Sequence, residues 1–288
     1  QLGSFIPYLN PIRTQVMTGA ELLKAACCNL SESFETNPSV DVSYNDAVTG
    51  SKQIQMLGIS GNYTQLTVEN LPGPRGLATP LGLNSIAGPW IESIQLTKGT
   101  GSVVNGFESI AGQINVELKK PESAEKLLGN IYVNDQGKTD LNLNVATKLN
   151  EKWATALLLH DNFMNNALDM NMDGFKDMPT GNTFSLVNRY KYDNSNGVLA
   201  QFGVKVLNDQ KVGGETSFNE NSDKYTQNRY GLAINTQRYE LFGKLGYVFP
   251  QQKFKSIGLQ FNASDYQQAS YFGLTNYNAN QQSFFTNL

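Results

Sequence analysis

The densest chemistry in the sequence lies in Asp169-Met170-Asn171-Met172-Asp173-Gly174-Phe175-Lys176-Asp177. Oxygen-bearing side chains at alternating positions, followed by a glycine for a sharp turn, suit a calcium loop. Asp169, Asn171, Asp173 and Asp177 would supply side-chain oxygens and Phe175 its carbonyl, making Ca2+ a cofactor that staples the loop. Thr180 stands where an EF-hand has its bidentate glutamate, so that pattern is incomplete. The competing reading is an acidic, solvated turn closed by Asn and Asp side-chain hydrogen bonds.

Four of the six methionines, Met164, Met170, Met172 and Met178, fall in or beside the same segment. Thioethers are soft ligands that favour copper(I), which makes Met170 and Met172 soft-metal candidates. Without a Met-x-x-Met array or a Cys and His cluster nearby, flexible methionines covering apolar surface explain them as well. Cys27 and Cys28 are a second soft-metal candidate. Neighbours on a helix point about 100° apart, so only one of the two can face the core. A buried thiol beside a partly exposed one is the plainer reading, and a vicinal disulfide would need a strained backbone.

His160 is the only histidine. Strand alternation assigns it to the inward set, where it would touch cargo in a lumen or serve as a satisfied polar residue near the rim. One histidine leaves no spare for a Ser-His-Asp set, and no nucleophile elbow is visible. Gly99-Thr100-Gly101 and Gly73-Pro74-Arg75-Gly76 lack the Walker spacing. The sequence therefore reads as a non-enzyme.

These residues need a scaffold, and composition divides it in two. Eight of the ten prolines lie at or before Pro121, whereas 23 of the 30 aromatics follow Lys120. The boundary is placed in Lys119 to Ser123, giving residues 1–120 and 121–288 as two units. In the first, Thr18 with Glu21 forms a capping-box pattern. Leu22, Leu23, Ala26, Leu30 and Phe34 then repeat at helical spacing. Gln53 to Ile59, Tyr63 to Val68, Ile91 to Leu96 and Gln113 to Leu118 read as short strands between glycine-rich turns, so the unit is α+β.

The second unit alternates with period two over long runs. Leu141, Leu143 and Val145 oppose Asn142, Asn144 and Ala146, and Trp153, Thr155, Leu157 and Leu159 oppose a set ending at His160. Similar runs recur at Val198 to Val206, Tyr230 to Ile234, Tyr239 to Tyr247 and Ile257 to Phe261. Strands of about ten residues with one apolar and one polar face are what a membrane barrel with a wet interior requires. Connections at Asn150 to Lys152, Asp193 to Gly197 and Thr236 to Arg238 read as tight, those at Asn162 to Gly181 and Asn208 to Lys224 as long. Short turns at one end and long loops at the other fit an outer-membrane barrel better than a soluble sandwich.

Ile91 to Gly99, followed by Gly106 and Ala111 to Val116, resembles the plug of TonB-dependent outer-membrane receptors. Lys52 to Ile59 is similar to that family's earlier plug strand. Glu69-Asn70-Leu71-Pro72 takes the place of its Asp-Gly-Val/Ile-Pro turn, and Ala25 to Pro38 resembles its helix and following turn. The resemblance implies a plug held in an antiparallel transmembrane barrel of about 22 strands. The 168 residues after Lys120 have room for roughly eight or nine strands, so the remaining strands are missing from this chain. No charged-then-apolar leader stands at Gln1, so either a targeting segment was removed or the numbered chain starts inside a longer precursor. The family's energy-coupling box is not recognisable before the plug, so coupling to TonB is implied by the resemblance alone.

What the resemblance implies for function is active import across the bacterial cell outer membrane, driven by the TonB-ExbB-ExbD complex. Gly73, Arg75, Leu77 and Thr79, in the plug turn that rises outward in that family, are the substrate-side residues, with His160. The counter-reading is a Gly-Pro loop whose Arg75 only pairs with wall carboxylates. A metal ion, a metallophore or a cobalamin is the leading cargo. Oligosaccharide or peptide import with a surface lipoprotein follows, then a non-transporting surface-binding barrel, then a soluble β-rich enzyme or carbohydrate-binding sandwich. Outer-membrane lipid is an expected partner. A formal net charge of -3 disfavours nucleic acid, and no apolar run approaches the roughly 18 residues of a spanning helix.

Overall fold

The structure, a computed structural model, describes residues 14–22, 29–34, 37–44, 49–101, 106, 108–252 and 254–288. Thr14–Thr18 (β1) leads into one helical turn, Gly19–Leu22 (α1). Val40–Tyr44 (β2), Lys52–Met56 (β3) and Ile59–Ser60 (β4) form a small antiparallel sheet. Thr64–Val68 (β5), Leu71–Pro72 (β6), Ile91–Lys98 (β7) and Gly112–Leu118 (β8) join β1 in a five-stranded sheet, ordered β1-β7-β8-β5-β6. Within it β5 runs parallel to β8. A second helical turn, Thr79–Gly82 (α2), lies between β6 and β7.

Two expectations for this unit need correction. Gln53 to Ile59 is a hairpin, because Leu57 (φ 55) and Gly58 (φ 71) turn the chain back. Leu30 and Phe34 are buried, as the helical stripe required, but Leu30 lies in a turn and Phe34 ends a single 3-10 turn, Glu32–Phe34, so the two do not share an α-helix. Asn29 forms a bridge to Ala87, and its side-chain oxygen accepts from the Ser31 and Glu32 amides, which diverts the backbone into a turn. Cys27 and Cys28 lie outside the described residues.

The second unit is one antiparallel sheet of eight strands in sequence order. They are Leu127–Val133 (β9), Thr139–Lys148 (β10), Trp153–Met164 (β11), Thr180–Asp193 (β12), Val198–Gly214 (β13), Gly231–Val248 (β14), Ser256–Phe272 (β15) and Thr275–Asn287 (β16). A helical turn, Glu220–Asp223 (α3), sits in the β13–β14 loop. Thr236 to Arg238 is not a turn. It lies inside β14, where Thr236 and Arg238 continue the inward set and Arg238 pairs with inward Glu240. The 165–179 and 215–230 connections share one end of the sheet, and the short turns at 149–152 and 194–197 share the other.

Burial across this sheet is the inverse of a water-soluble protein. On β10, Asp140, Asn142 and Asn144 are buried while Leu141, Leu143 and Val145 are exposed. Water would select the opposite arrangement; lipid outside and protein inside select this one. The soluble-sandwich expectation fails on that inversion. No helix among the described residues is long and apolar enough to cross a membrane.

The first unit packs on the inner face of this wall. Its core of Met17, Leu30, Phe34, Met56, Ile94, Leu96 and Ile114 is continuous with Leu158, Val187 and Phe242 from the wall. Trp90 is buried in the same cluster with its ring edge-on to His160 at 6.2 Å.

Candidate functional site

The strongest polar feature joins the two units at Glu69. Glu69 (φ 58) and Asn70 (φ 56) form the β5–β6 turn with both residues in the left-handed region. A non-glycine residue there costs on the order of 1–2 kcal/mol, so its surroundings must hold it. They do, since the Glu69 carboxylate accepts from the Leu118 amide at 2.9 Å, from Lys120 Nζ at 2.8 Å and from Arg189 Nη1 at 2.9 Å. Lys244 Nζ donates to the Glu69 carbonyl. Arg189, on β12, also donates to the Lys119 carbonyl at 3.3 Å, and Lys120 pairs with Glu117. Glu69 and Arg189 are both almost wholly buried.

Burial works to raise the Glu69 carboxyl, but the Arg189 and Lys120 charges and their hydrogen bonds outweigh it and bring it down to about 2. Lys120 is pushed up by Glu69 and Glu117 against its own burial. The result is a charged latch between plug turn, linker and wall. Sequence reasoning treated Glu69 as a turn residue and missed Arg189, Lys120 and Lys244. A usable signal was present, since alternation on β12 turns Arg189 inward, and a buried arginine requires an acid.

At the other end of the first unit, two of the substrate-side residues, Arg75 and Thr79, line a cleft of about 480 Å³ together with Lys52, Gln53, Asn62 and Glu108, whereas Gly73, Leu77 and His160 do not. Arg75 and Thr79 face this cleft; Gly73 is buried behind it, with its amide donating to Leu66 O at 3.0 Å. Leu77 donates its amide to Gln281 Oε1 at 2.8 Å, tying the loop to β16. Gly76 (φ 61) sits in the left-handed region that favours glycine, with the Gln281 side-chain amide packed against its open side. Arg75 Nη1 sits 3.7 Å from Glu108 Oε1, both about one-third exposed, and Lys52 Nζ sits 3.6 Å from Glu32. Arg75 thus pairs with a carboxylate of its own unit, where the counter-reading had placed wall carboxylates. Gly50, next to this cleft, packs against Pro179 at the end of the 165–179 loop.

His160 is apart from these residues. It is inward, as alternation required, and buried, with Nδ1 2.9 Å from Asn142 Oδ1 and Nε2 3.8 Å from Asp140. Its ring meets the edge of Trp90 from the first unit at 6.2 Å, and it does not line the cleft.

The acidic loop is closed by its own backbone. Asp169 accepts from the Asp173 and Gly174 amides at 3.0 and 2.8 Å, Asp173 from Phe175 at 2.8 Å and Asp177 from Met170 at 2.8 Å. Asn171 donates to Asp173 at 3.0 Å. Among the described residues no three His, Cys, Asp or Glu side chains converge to hold a metal ion. Met170 and Met172 stand 74% and 89% exposed, away from any ligand partner. A carboxylate oxygen that accepts one amide keeps a lone pair for a cation, so elemental analysis of full-length protein purified without chelator separates the two readings: calcium well below one per chain leaves the turn closed by hydrogen bonds alone. Stoichiometric calcium that disappears in Asp173→Ala would establish the metal staple instead.

The family model described as TonB-dependent Receptor Plug Domain matches residues 9–113. No curated protein sequence matches the chain. Among solved structures, the chain is similar to one in the FpvAI-pyocin S2 complex, with a TM-score of 0.69 at 15% identity, covering 92% of this chain and 34% of that one. It is similar to the alcaligin outer membrane receptor FauA from Bordetella pertussis, with a TM-score of 0.67 at 11% identity, covering 96% and 42%. It is also similar to the copper transporter OprC, with a TM-score of 0.61 at 11% identity, covering 99% and 52%. The chain therefore spans about a third to a half of the length of these structures, and at such identities the likeness is one of fold.

Proposed function

From the premise that this chain carries the plug domain of a TonB-dependent receptor and a partial barrel of eight strands, we propose that the whole protein imports scarce cargo actively across the bacterial outer membrane. The observation that carries the reading is the Glu69 latch, which fixes a folded plug inside the wall by buried charge. A passive surface barrel gains nothing from a filled lumen. Energy from a TonB-ExbB-ExbD complex would loosen the plug, and no bond in the cargo is made or broken.

The cargo proposed is a small anionic metal chelate. Lys52 and Arg75 line the cleft, each paired among the described residues with one carboxylate at 3.6–3.7 Å, which an incoming anion can replace. Receptors for alcaligin and pyoverdines and a copper transporter share the fold, which supports the class without choosing the member. Oligosaccharide or peptide cargo is the alternative within the same class.

Binding of a panel of ferric and cupric chelates to the full-length receptor in detergent tests this reading. At least one anionic chelate is expected to bind, and Arg75→Ala should weaken it about tenfold, the worth of one charge-assisted hydrogen bond. Binding of neutral oligosaccharides with no chelate bound would overturn it.

A further inference from the structure

Several wall strands are longer than a membrane requires. β13, β14 and β15 run 17, 18 and 17 residues, whereas a tilted spanning strand needs about 9–11. The excess lies toward the end carrying the 165–179 and 215–230 loops. On the outward face of β14, Tyr239, Leu241, Leu245 and Tyr247 are exposed, continued by Leu259 on β15 and Phe284 on β16. Above this apolar belt the same face changes abruptly to amides.

Register places Asn235, Ala269 and Asn278 side by side, and Gln237, Gln267 and Asn280 in the next row. Together they line a shallow recess of about 520 Å³, with Ala269 as its floor. Gln267 donates to Asp265 at 2.7 Å, and Asn278 accepts from the Ser270 amide at 3.1 Å. The side-chain amides of Asn235, Gln237 and Asn280 have no hydrogen-bond partner among the described residues. The 215–230 loop closes the recess from above, where Tyr225 donates to Asn276 at 2.6 Å and packs on Tyr271 at 5.3 Å. Lys224 at that rim lies over Tyr271 and faces Glu220 at 3.8 Å.

We propose that this recess binds the uncharged sugar headgroup of a glycolipid in the outer leaflet. Free amides donate and accept at once, as sugar hydroxyls demand, and a small apolar floor accommodates the C–H face of a ring. A phosphate headgroup would meet amides and Asp265 where it needs free cations. The source is a lipid because the recess continues directly from the belt of Tyr239, Leu241 and Phe284. A lipid whose chains lie on that belt brings its headgroup to the amides. The assignment rests on the outer-membrane reading and is independent of the cargo.

The test uses the full-length receptor in a polyoxyethylene detergent, which carries no sugar. Equal amounts of digalactosyl diacylglycerol and phosphatidylglycerol with the same chains are added, and adducts are counted by native mass spectrometry. Digalactosyl adducts should exceed phosphatidylglycerol adducts about fivefold, the worth of one net hydrogen bond. Ala269→Trp, which fills the floor, and the triple change Gln237→Leu, Gln267→Leu, Asn280→Leu should each bring the ratio to near unity. Heat-modifiable gel migration checks that each variant is a folded barrel, which separates failure of this proposal from failure of the barrel reading. Equal or reversed preference in the wild type, or an unchanged ratio in folded Ala269→Trp, would overturn it. Full displacement by free digalactoside would also do so, by assigning the recess to a soluble glycan, as would a stoichiometric bound protein that excludes the glycolipid.

Discussion

Replacing Glu69 with leucine in the full-length receptor is expected to destabilise plug docking by about 3–5 kcal/mol, because it strands buried opposite charge. Arg189 would lose its carboxylate while remaining buried, and Lys120 would lose the 2.8 Å partner that holds it. The Leu118 amide would lose its acceptor as well. The effect should appear as earlier plug release in urea and as raised ion leakage through the barrel in planar bilayers. Adding Arg189→Leu should recover part of the loss, since the pair then leaves together. No recovery in the double variant would mean the two residues act separately.

The latch also sets a pH range. Glu69 is held at about 2, below its ordinary 4.5, so its contribution is fully present above 4.5 and fades as pH falls toward 2. Lys120 is raised above its ordinary 10.5, so its contribution is full below that value and is lost only at higher pH. The plug should therefore stay docked across the neutral range and loosen only in strong acid or strong base.

The second large effect is expected at Trp90. Trp90→Ala removes a buried aromatic that packs with the plug core and against His160, a class of truncation that costs about 3–5 kcal/mol. Trp90→Phe should cost far less, because the indole Nε1 is buried without a hydrogen-bond partner among the described residues and its loss forfeits none of the bonds seen there. Urea unfolding of the plug, followed by hydrogen exchange on β7 and β8, reads both. Similar losses for Ala and Phe would show that the indole nitrogen has a partner after all.

These expectations draw on features that were unequally legible in the sequence. Period-two alternation identified the wall and turned His160 inward, because lipid on one face and plug on the other impose a two-residue repeat on every strand. It broke down at Thr236 to Arg238 for a physical reason. Above the apolar belt the outward residues become polar, as at Asn235 and Gln237, so both faces of the strand read as turn-like. The Leu30 and Phe34 stripe was read as helix because burial alone does not distinguish a helix from a turn fixed by Asn29. The plug strands were legible through local pattern. The latch was not, because Glu69 and Arg189 are 120 residues apart and meet only when plug and wall are packed together.

The most direct test of the account is cargo accumulation by cells expressing the full-length receptor, measured with and without a functional TonB protein. The account predicts uptake of an anionic metal chelate that requires both TonB and the proton gradient, and that falls when Arg75 is changed to alanine. Uptake at the same rate without TonB, or no uptake of any chelate that the purified receptor binds, would contradict it.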